Sequence, residues 1–218
     1  MAFRSSADSF GPMYPFSTTY RLSPDTAGSG GFSGGVKLRS SVSPWVRFTW
    51  PLASVPAILP GAPSPDIIRS ATSEESEKVL DVILQSLSMD SAWNDSMVKI
   101  GSYLKEAVAR VFSQEEPLCL VIPKGNRFIA ASLLDPSADA SNQLLSGPVA
   151  LVEYRNRGIG TRLLHASLLT LRDRGLSTAS GVTRINTVAS SHVYPKFGGL
   201  AEAIEFPSRA EISSEAKS

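Results

Sequence analysis

The chain has 218 residues and a mass of 23.2 kDa, enough for one domain with an extension or for two small domains. Its 21 Lys and Arg nearly balance its 20 Asp and Glu, and the net charge of +1 excludes the strong positive field with which proteins hold nucleic acid or an anionic membrane. A single cysteine, Cys119, excludes an intrachain disulfide framework, and we expect it in the core.

Two further features of the composition narrow the function classes. The only histidines are His165 and His192, which argues against a His-rich metal site. No run of apolar residues approaches the length of a membrane span. We therefore expect a soluble cytoplasmic protein without a metal, a nucleic-acid partner or a membrane partner.

Residues 1–65 are rich in Gly, Pro and Ser, which is typical of a flexible segment. We interpret them as an N-terminal extension before a domain at residues 66–206, which a polar tail at 207–218 follows. The extension has three possible origins: a tail without a role of its own, an organellar transit peptide, or translation from an upstream start codon. We favour the first. Within it, the aromatic and alternating residues 45–50 predict a short strand or a segment that docks on the domain.

From residue 66 the pattern is that of a globular domain. Residues 66–71 predict a strand, and a capping box of Thr72 and Glu75 predicts the start of a helix that continues to residue 89. A second helix is predicted for residues 96–112. Two apolar runs around a turn, at residues 118–134, predict a β-hairpin.

The second half of the domain alternates strands and helices. Residues 143–153 predict a strand, in which Pro148 indicates a bulge or an edge position. A helix at 161–174 has a stripe of leucines, and His165 lies off this stripe, where we expect it to be exposed. The last predicted elements are a strand at 177–182, a helix at 186–197 and a strand at 200–206. This order predicts an α/β domain with a mostly antiparallel front half.

The most informative motif is the turn before the third predicted helix, Arg155-x-x-Gly158-x-Gly160. Glycines let backbone amides turn inward and a phosphate approach, and the new helix adds the positive end of its dipole. Arg155, Arg157 and Arg162 add positive charge. The motif by itself leaves two interpretations open: a diphosphate site, or a tight turn that needs glycine for packing. A Walker A loop is excluded, since no Gly-Lys-Ser/Thr follows.

Two sequence blocks resemble the GNAT superfamily of N-acetyltransferases. Residues 152–164, Val-Glu-Tyr-Arg-Asn-Arg-Gly-Ile-Gly-Thr-Arg-Leu-Leu, are similar to its acyl-CoA signature, which is Arg or Gln-x-x-Gly-x-Gly or Ala after the fourth strand. Residues 186–199 resemble its second block, a helix with Asn near the start and Tyr near the end, then Gly. The resemblance covers residues 66–206. It implies the GNAT acyl-CoA N-acyltransferase fold, a mixed, mostly antiparallel twisted sheet flanked by helices, here with a shortened C-terminal hairpin.

The resemblance also implies a reaction, the direct transfer of the acetyl group of acetyl-CoA to a primary amine. A backbone amide of the fourth strand would stabilise the oxyanion, and Tyr194 would protonate the leaving thiolate. Glu153 is either a base or a solvated strand end. The pantetheine arm would bind where the fourth and fifth strands splay apart, at the backbone of Pro148, Val149 and Ala150. The other residues expected at the cofactor are Arg155, Asn156, Arg157, Gly158, Ile159, Gly160, Thr161 and Asn186.

The chain departs from the family pattern in its second block. Asn186 lies one residue further from Tyr194 than expected, which makes Thr187 the alternative contact. Pro195 follows Tyr194 directly and disturbs the predicted helix, and Gly199 stands where Phe is common. The short closing hairpin leads to two hypotheses, completion by residues 45–50 or by the second subunit of a homodimer.

Two other function classes stay open at this stage. A catalytically silent acyl-CoA-binding module would keep the glycine turn but lack a competent acid. An interaction protein would use the N-terminal arm, with the domain as a scaffold. No acidic cluster identifies the acceptor, which is either a small molecule or a protein amine.

Overall fold

The computed structural model describes residues 45–59 and 66–204. Residues 1–44, 60–65 and 205–218 lie outside the described residues. The predicted polar tail and most of the predicted N-terminal extension fall in those ranges.

The described chain forms seven strands and three α-helices. The strands are β1 (Trp45–Pro51), β2 (Arg69–Ser70), β3 (Cys119–Lys124), β4 (Arg127–Leu133), β5 (Val149–Ala150), β6 (Thr178–Arg184) and β7 (Leu200–Ile204). The helices are α1 (Ser76–Ser88), α2 (Met97–Phe112) and α3 (Ile159–Asp173). One sheet has the order β6–β1–β7 and the other β2–β3–β4–β5, with antiparallel pairing throughout. The expected fold class, antiparallel sheets flanked by helices, is confirmed.

Strand β1 lies in the middle of the first sheet. Its Arg47 is paired with Val182 of β6 on one side and with Glu202 of β7 on the other. Trp50 is fully buried, because alternate residues of a strand point to the same face and this face packs on α3. From composition we assigned residues 45–50 to the N-terminal extension, but the structure buries their aromatic side chains in the core. The hypothesis that residues 45–50 complete the closing hairpin is confirmed.

The helices lie on opposite sides of the sheets. Helices α1 and α2 pack on a core cluster that includes Trp45 and Cys119, and α3 packs on a second cluster that includes Trp50. The capping box is formed, since the Thr72 amide donates to the Glu75 carboxylate at 2.9 Å. Cys119 is buried as expected, and burial raises the pKa of its thiol to about 12.

Two predicted elements are much shorter than the sequence pattern suggested. The strand predicted for 143–153 is reduced to β5, because Gly147 has a φ of +61° and ends the extended run just before Pro148. The helix predicted for 186–197 is a single π-helical turn, Ala189–Val193, and a 3-10 turn at Lys196–Gly198. Pro195 separates the two turns, since proline lacks the amide that a continuing helix needs.

His165 is buried, which corrects the expectation that it is exposed. The segment after β1 runs across α3 and places the carbonyl of Pro56 2.7 Å from the Nε2 atom of His165. The Phe197 ring lies against the imidazole, with 5.2 Å between ring centroids. Both neighbours come from distant parts of the chain, so helical periodicity could not reveal this burial.

Candidate active site

The two sheets meet at Leu144 and separate beyond it. The Leu144 amide donates to the Ser180 carbonyl of β6 at 2.9 Å, and Leu144 also forms a bridge with Leu134, just after β4. Further along, β5 pairs with β4, and β6 pairs with β1, but β5 and β6 are not paired with each other. The chain thus opens a gap between two strand edges, and an extended ligand can bond to a strand edge of this kind.

The glycine turn follows β5 and begins α3. Asn156 and Gly158 have φ values of +60° and +76°, and Gly158 is the N-cap of the helix. The Arg162 amide donates to the Gly158 carbonyl at 3.0 Å, so the amides from Gly158 to Thr161 precede the hydrogen-bonded turns of the helix. This geometry suits an anion.

The backbone of this turn favours glycine at position 158, where φ is +76°. A Cβ on Gly160 would make an ordinary van der Waals contact, 3.4 Å from the Val193 side chain at the π-helical turn of the second block. Ile159 buries its side chain among the residues packed on α3, so only its backbone faces the turn. Glycine therefore serves the backbone of the turn rather than its packing, and this is compatible with an anion site.

Two cations lie at the start of α3. Arg157 is exposed, and its guanidinium lies 5.5 Å from the centroid of the Tyr154 ring. The ammonium group of Lys196 donates to the Thr161 hydroxyl at 2.9 Å. The motif pattern did not mark Lys196 as a site residue, although it is the only Lys or Arg in residues 186–199. Its charge adds to the positive end of the α3 dipole.

Arg155 and Arg162 have other partners. The Arg155 guanidinium donates to the Ala150 carbonyl at 3.2 Å and to the Ser86 carbonyl at 2.6 Å. Arg162 bonds to the Asp66 carbonyl and lies 3.5 Å from its carboxylate. The Arg155 contacts fasten the glycine turn to β5 and to the end of α1. The Ala150 carbonyl, expected to face the pantetheine arm, thus already accepts one hydrogen bond.

Tyr194 is buried between the π-helical turn and the first sheet. Its ring meets Phe48 and Trp50 of β1 edge to face, at centroid distances of 5.4 and 5.3 Å. Its hydroxyl lies against Gly147, because a Cβ built on Gly147 would overlap the hydroxyl oxygen. Burial raises the pKa of Tyr194 above its ordinary value, so the phenol is protonated at neutral pH.

The Trp50 indole holds the backbone around Tyr194. It donates to the Tyr194 carbonyl at 3.1 Å and to the Lys196 carbonyl at 3.0 Å. A Cβ on Gly199 would come within 2.6 Å of the indole nitrogen. A side chain at position 199 would also overlap the Tyr194 carbonyl oxygen, so the backbone and the indole together require glycine there.

The remaining predicted site residues lie outside this cluster. Glu153 belongs to a 3-10 turn, Val152–Tyr154, and its carboxylate pairs with Arg127 at 3.1 Å on the surface. Asn186 is exposed. Thr187, the alternative contact, is buried, and its hydroxyl donates to the Arg184 carbonyl at 2.9 Å. Thr187 therefore stabilises the turn after β6.

A cavity of about 930 Å³ lies on the other face of β1. Trp45 and Arg47 line it, whereas Phe48 and Trp50 face Tyr194. Its other walls come from α2 and from the loop between β4 and β5. Ser146 lines the cavity, and Gly147, the next residue, touches the Tyr194 hydroxyl. One loop thus separates a large cavity from a buried phenol.

Comparison with known proteins finds relatives only among solved structures. No family model and no curated protein matches this chain. A GCN5-related N-acetyltransferase from Sphaerobacter thermophilus is 14% identical, with a TM-score of 0.49 over 74% of this chain and 49% of that one. A GNAT-family acetyltransferase from Colwellia psychrerythraea is 12% identical, with a TM-score of 0.49 over 74% of this chain and 53% of that one.

Several of the matched structures are GNAT acetyltransferases. Another match is the PaiA N-acetyltransferase from Thermoplasma acidophilum in complex with coenzyme A. It is 19% identical, with a TM-score of 0.32 over 52% of this chain and 76% of that one. The chain spans about half the length of the first structures matched.

No helix in residues 45–59 and 66–204 is long and apolar enough to cross a membrane. The same residues contain no group of three or more His, Cys, Asp or Glu side chains that would hold a metal ion.

Proposed function

We propose that this chain is an acetyl-CoA-dependent N-acetyltransferase. The observation that carries the proposal is the contact between the Tyr194 hydroxyl and Gly147, two residues before β5 and its unpaired edge. The strand edge and the glycine turn lie along one short stretch of backbone, and the protonated phenol of Tyr194 contacts the start of this stretch at Gly147. The matched GNAT structures agree with this function in general terms.

The residues present fit the cofactor. The backbone of Pro148, Val149 and Ala150 would bind the pantetheine arm. The amides from Asn156 to Thr161 would bind the diphosphate, with Arg157 and Lys196 as charged partners. We assign Arg155 a positioning role, because its guanidinium is bonded to two carbonyls. Asn186 is proposed as a peripheral contact. Bound acetyl-CoA would supply an activated acetyl thioester.

The chain would contribute binding, orientation and one proton. The amine nitrogen forms a bond to the acetyl carbonyl carbon, and the bond from that carbon to sulfur breaks. The nitrogen gives up one proton to solvent, and Tyr194 gives its proton to the thiolate and regains one from solvent. Burial keeps the Tyr194 phenol protonated at neutral pH, so its proton is present when the thiolate forms, but the raised pKa also makes the phenol a weaker acid than an exposed tyrosine.

Glu153 is the weaker catalytic proposal. Its carboxylate is exposed and paired with Arg127 at 3.1 Å, so it would act as a base only after this pair opens. We also propose that the enzyme is cytoplasmic. It could form a homodimer, but β1 already completes the first sheet, so a second subunit is not needed for that purpose.

The test is acetyl-CoA binding followed by turnover. A ligand that binds only the folded state at about 100 times its Kd adds about 2.7 kcal/mol to the free energy of unfolding. We expect acetyl-CoA to raise the unfolding temperature of the wild type. The shift should be smaller for Lys196→Glu. It should equal that of the wild type for the control Lys78→Glu, which makes the same charge change at an exposed position on α1. Thiol release in the presence of amines then measures transfer. Absence of a shift at millimolar acetyl-CoA would sink the proposal.

A silent acyl-CoA-binding module is the second candidate. Two observations favour it: Pro195 breaks the helix at Tyr194, and the Ala150 carbonyl already accepts a bond from Arg155. The same experiment separates the candidates, because a silent module would show the thermal shift without thiol release for any primary amine.

A further inference from the structure

The cavity beside β1 contains two buried polar atoms without a hydrogen-bond partner. They are the Nε atom of Arg47 and the Oδ1 atom of Asn142, and both residues line the cavity. The first is a donor and the second an acceptor. Buried polar groups in folded proteins are almost always bonded, so an unpaired donor and an unpaired acceptor at one cavity leave two hydrogen bonds for a water molecule or a ligand to make.

Three arginines and three carboxylates line the cavity, and Arg47 differs from the other two arginines in its partners; Asp139 is the third carboxylate. Arg110 pairs with Asp135 at 3.3 Å, and Arg174 pairs with Glu116 at 3.1 Å. Arg47 has no carboxylate within 4.0 Å among residues 45–59 and 66–204. Its register partner Glu202 is exposed and forms no ion pair with it. A half-buried guanidinium without a carboxylate is a site for an anion with two oxygens, because its fork matches a carboxylate.

The Arg47 donor and the Asn142 acceptor both lie on the side of the cavity formed next to β6. Arg47 is paired with Val182 of β6, and Ser180 lies two residues earlier on the same face of that strand. The residue after Asn142, Gln143, accepts from the Ser180 amide at 2.8 Å through its side chain. Arg47 and Asn142 therefore both lie beside β6. Arg47 is opposite Val182, and Asn142 precedes Gln143, which bonds to Ser180. Trp45, Trp93 and Tyr103 give the cavity an aromatic lining.

We propose that this cavity binds a primary amine that also carries a carboxylate, with the chemistry of an amino acid. The Arg47 guanidinium binds the carboxylate, the Asn142 oxygen accepts from the amino group, and the aromatic lining packs against the ligand side chain. This inference rests on the proposed function, since it names the acceptor class. None of the residues that line the cavity is among those proposed for the cofactor, and Ser146 in its lining is the neighbour in sequence of Gly147, which touches the Tyr194 hydroxyl.

The test compares matched ligands and matched variants. Each of the twenty standard L-amino acids is measured against its α-carboxamide, both by thiol release from acetyl-CoA and by calorimetry without acetyl-CoA. We expect at least one amino acid to be preferred over its amide by about 10²-fold in kcat/KM, since a site built to bond a group rejects the analogue that lacks it. Arg47→Met should abolish this preference, Arg47→Lys should restore part of it, and Lys78→Met should leave it unchanged.

The outcomes separate this inference from the proposed function. Equal use of amino acids and amides, or a preference that survives in a folded Arg47→Met variant, overturns the carboxylate site and leaves the acetyltransferase proposal standing. If amino acids bind and this binding depends on Arg47, but acetyl-CoA does not bind, the carboxylate site is supported and the acetyltransferase proposal is rejected. If none of the twenty amino acids binds or is acetylated, the carboxylate site is rejected.

Discussion

The indole of Trp50 donates to the backbone carbonyl of Tyr194 at 3.1 Å across a sequence separation of 144 residues. It donates also to the Lys196 carbonyl at 3.0 Å. The strand β1, from a Gly/Pro/Ser-rich region, thus positions the residue that we propose as the acid and the cation beside the glycine turn. The site is built from both ends of the described chain.

Substitution of Trp50 by Phe should destabilise the domain and impair the site together. The change removes the donor from a fully buried side chain and leaves the Tyr194 carbonyl without it. We expect the free energy of unfolding to fall by about 2–4 kcal/mol. Urea unfolding and acetyl transfer at low temperature measure the two effects. An unchanged unfolding midpoint would show that the indole bonds do not form.

Gly147 and Tyr194 should be coupled. Gly147→Ala adds a methyl group at φ +61°, where it overlaps the Tyr194 hydroxyl. We expect a loss of about 2–4 kcal/mol, part from the backbone and part from the overlap. Adding Tyr194→Phe should recover about 1 kcal/mol, because the overlapping oxygen is gone.

A double-mutant cycle by chemical unfolding measures this coupling. Additive effects of the two substitutions would contradict the contact. The single variant Tyr194→Phe should keep acetyl-CoA binding and lose about 10²-fold or more in turnover, the usual contribution of a general acid.

Substitutions of Arg155 and Arg157 should have different effects: the first should lower stability, and the second should lower the affinity for acetyl-CoA. Arg155→Met loses bonds to the Ala150 and Ser86 carbonyls, so we expect a stability loss of about 1–3 kcal/mol and a small change in acetyl-CoA affinity. Arg157→Met removes an exposed charge at the glycine turn, so affinity should fall and stability should hold. Thermal unfolding and titration with acetyl-CoA measure both quantities. The reverse pattern would assign Arg155 to the diphosphate.

Alkaline pH should destabilise the domain in two steps. Burial raises the pKa of Cys119 to about 12, whereas an unfolded thiol titrates near pH 8.5. The unfolded chain therefore loses this proton first, and stability falls by about 1.4 kcal/mol per pH unit between these values. Tyr194, whose pKa burial also raises, adds a second loss above about pH 10.

Two variants assign these steps. In Cys119→Ala the decline between about pH 9 and 10 should be shallower, as measured by urea unfolding at each pH. In Tyr194→Phe the slope should change only above about pH 10. An unaltered slope in Cys119→Ala would mean that the thiol ionises in the folded state.

Local patterns were reliable where neighbours in sequence decide the structure. The capping box of Thr72 and Glu75 forms as predicted, and Arg69 pairs with Glu75 at 2.8 Å and lowers its pKa to about 2. Helix α2 and the hairpin of β3 and β4 also lie within a residue or two of the predicted bounds. These elements depend on side-chain spacing and turn residues, which the sequence displays directly.

The sequence by itself determined the fold class, the glycine turn and the two motifs that carry the family resemblance, because each is written in contiguous residues. Only the tertiary structure decided the rest. It inserted β1 between β6 and β7, brought Lys196 to the start of α3 and turned Arg155 away from the glycine turn. It also left Arg47 unpaired in a cavity. Hydrogen bonds and burial between distant segments fixed these arrangements, and no local pattern encodes such contacts.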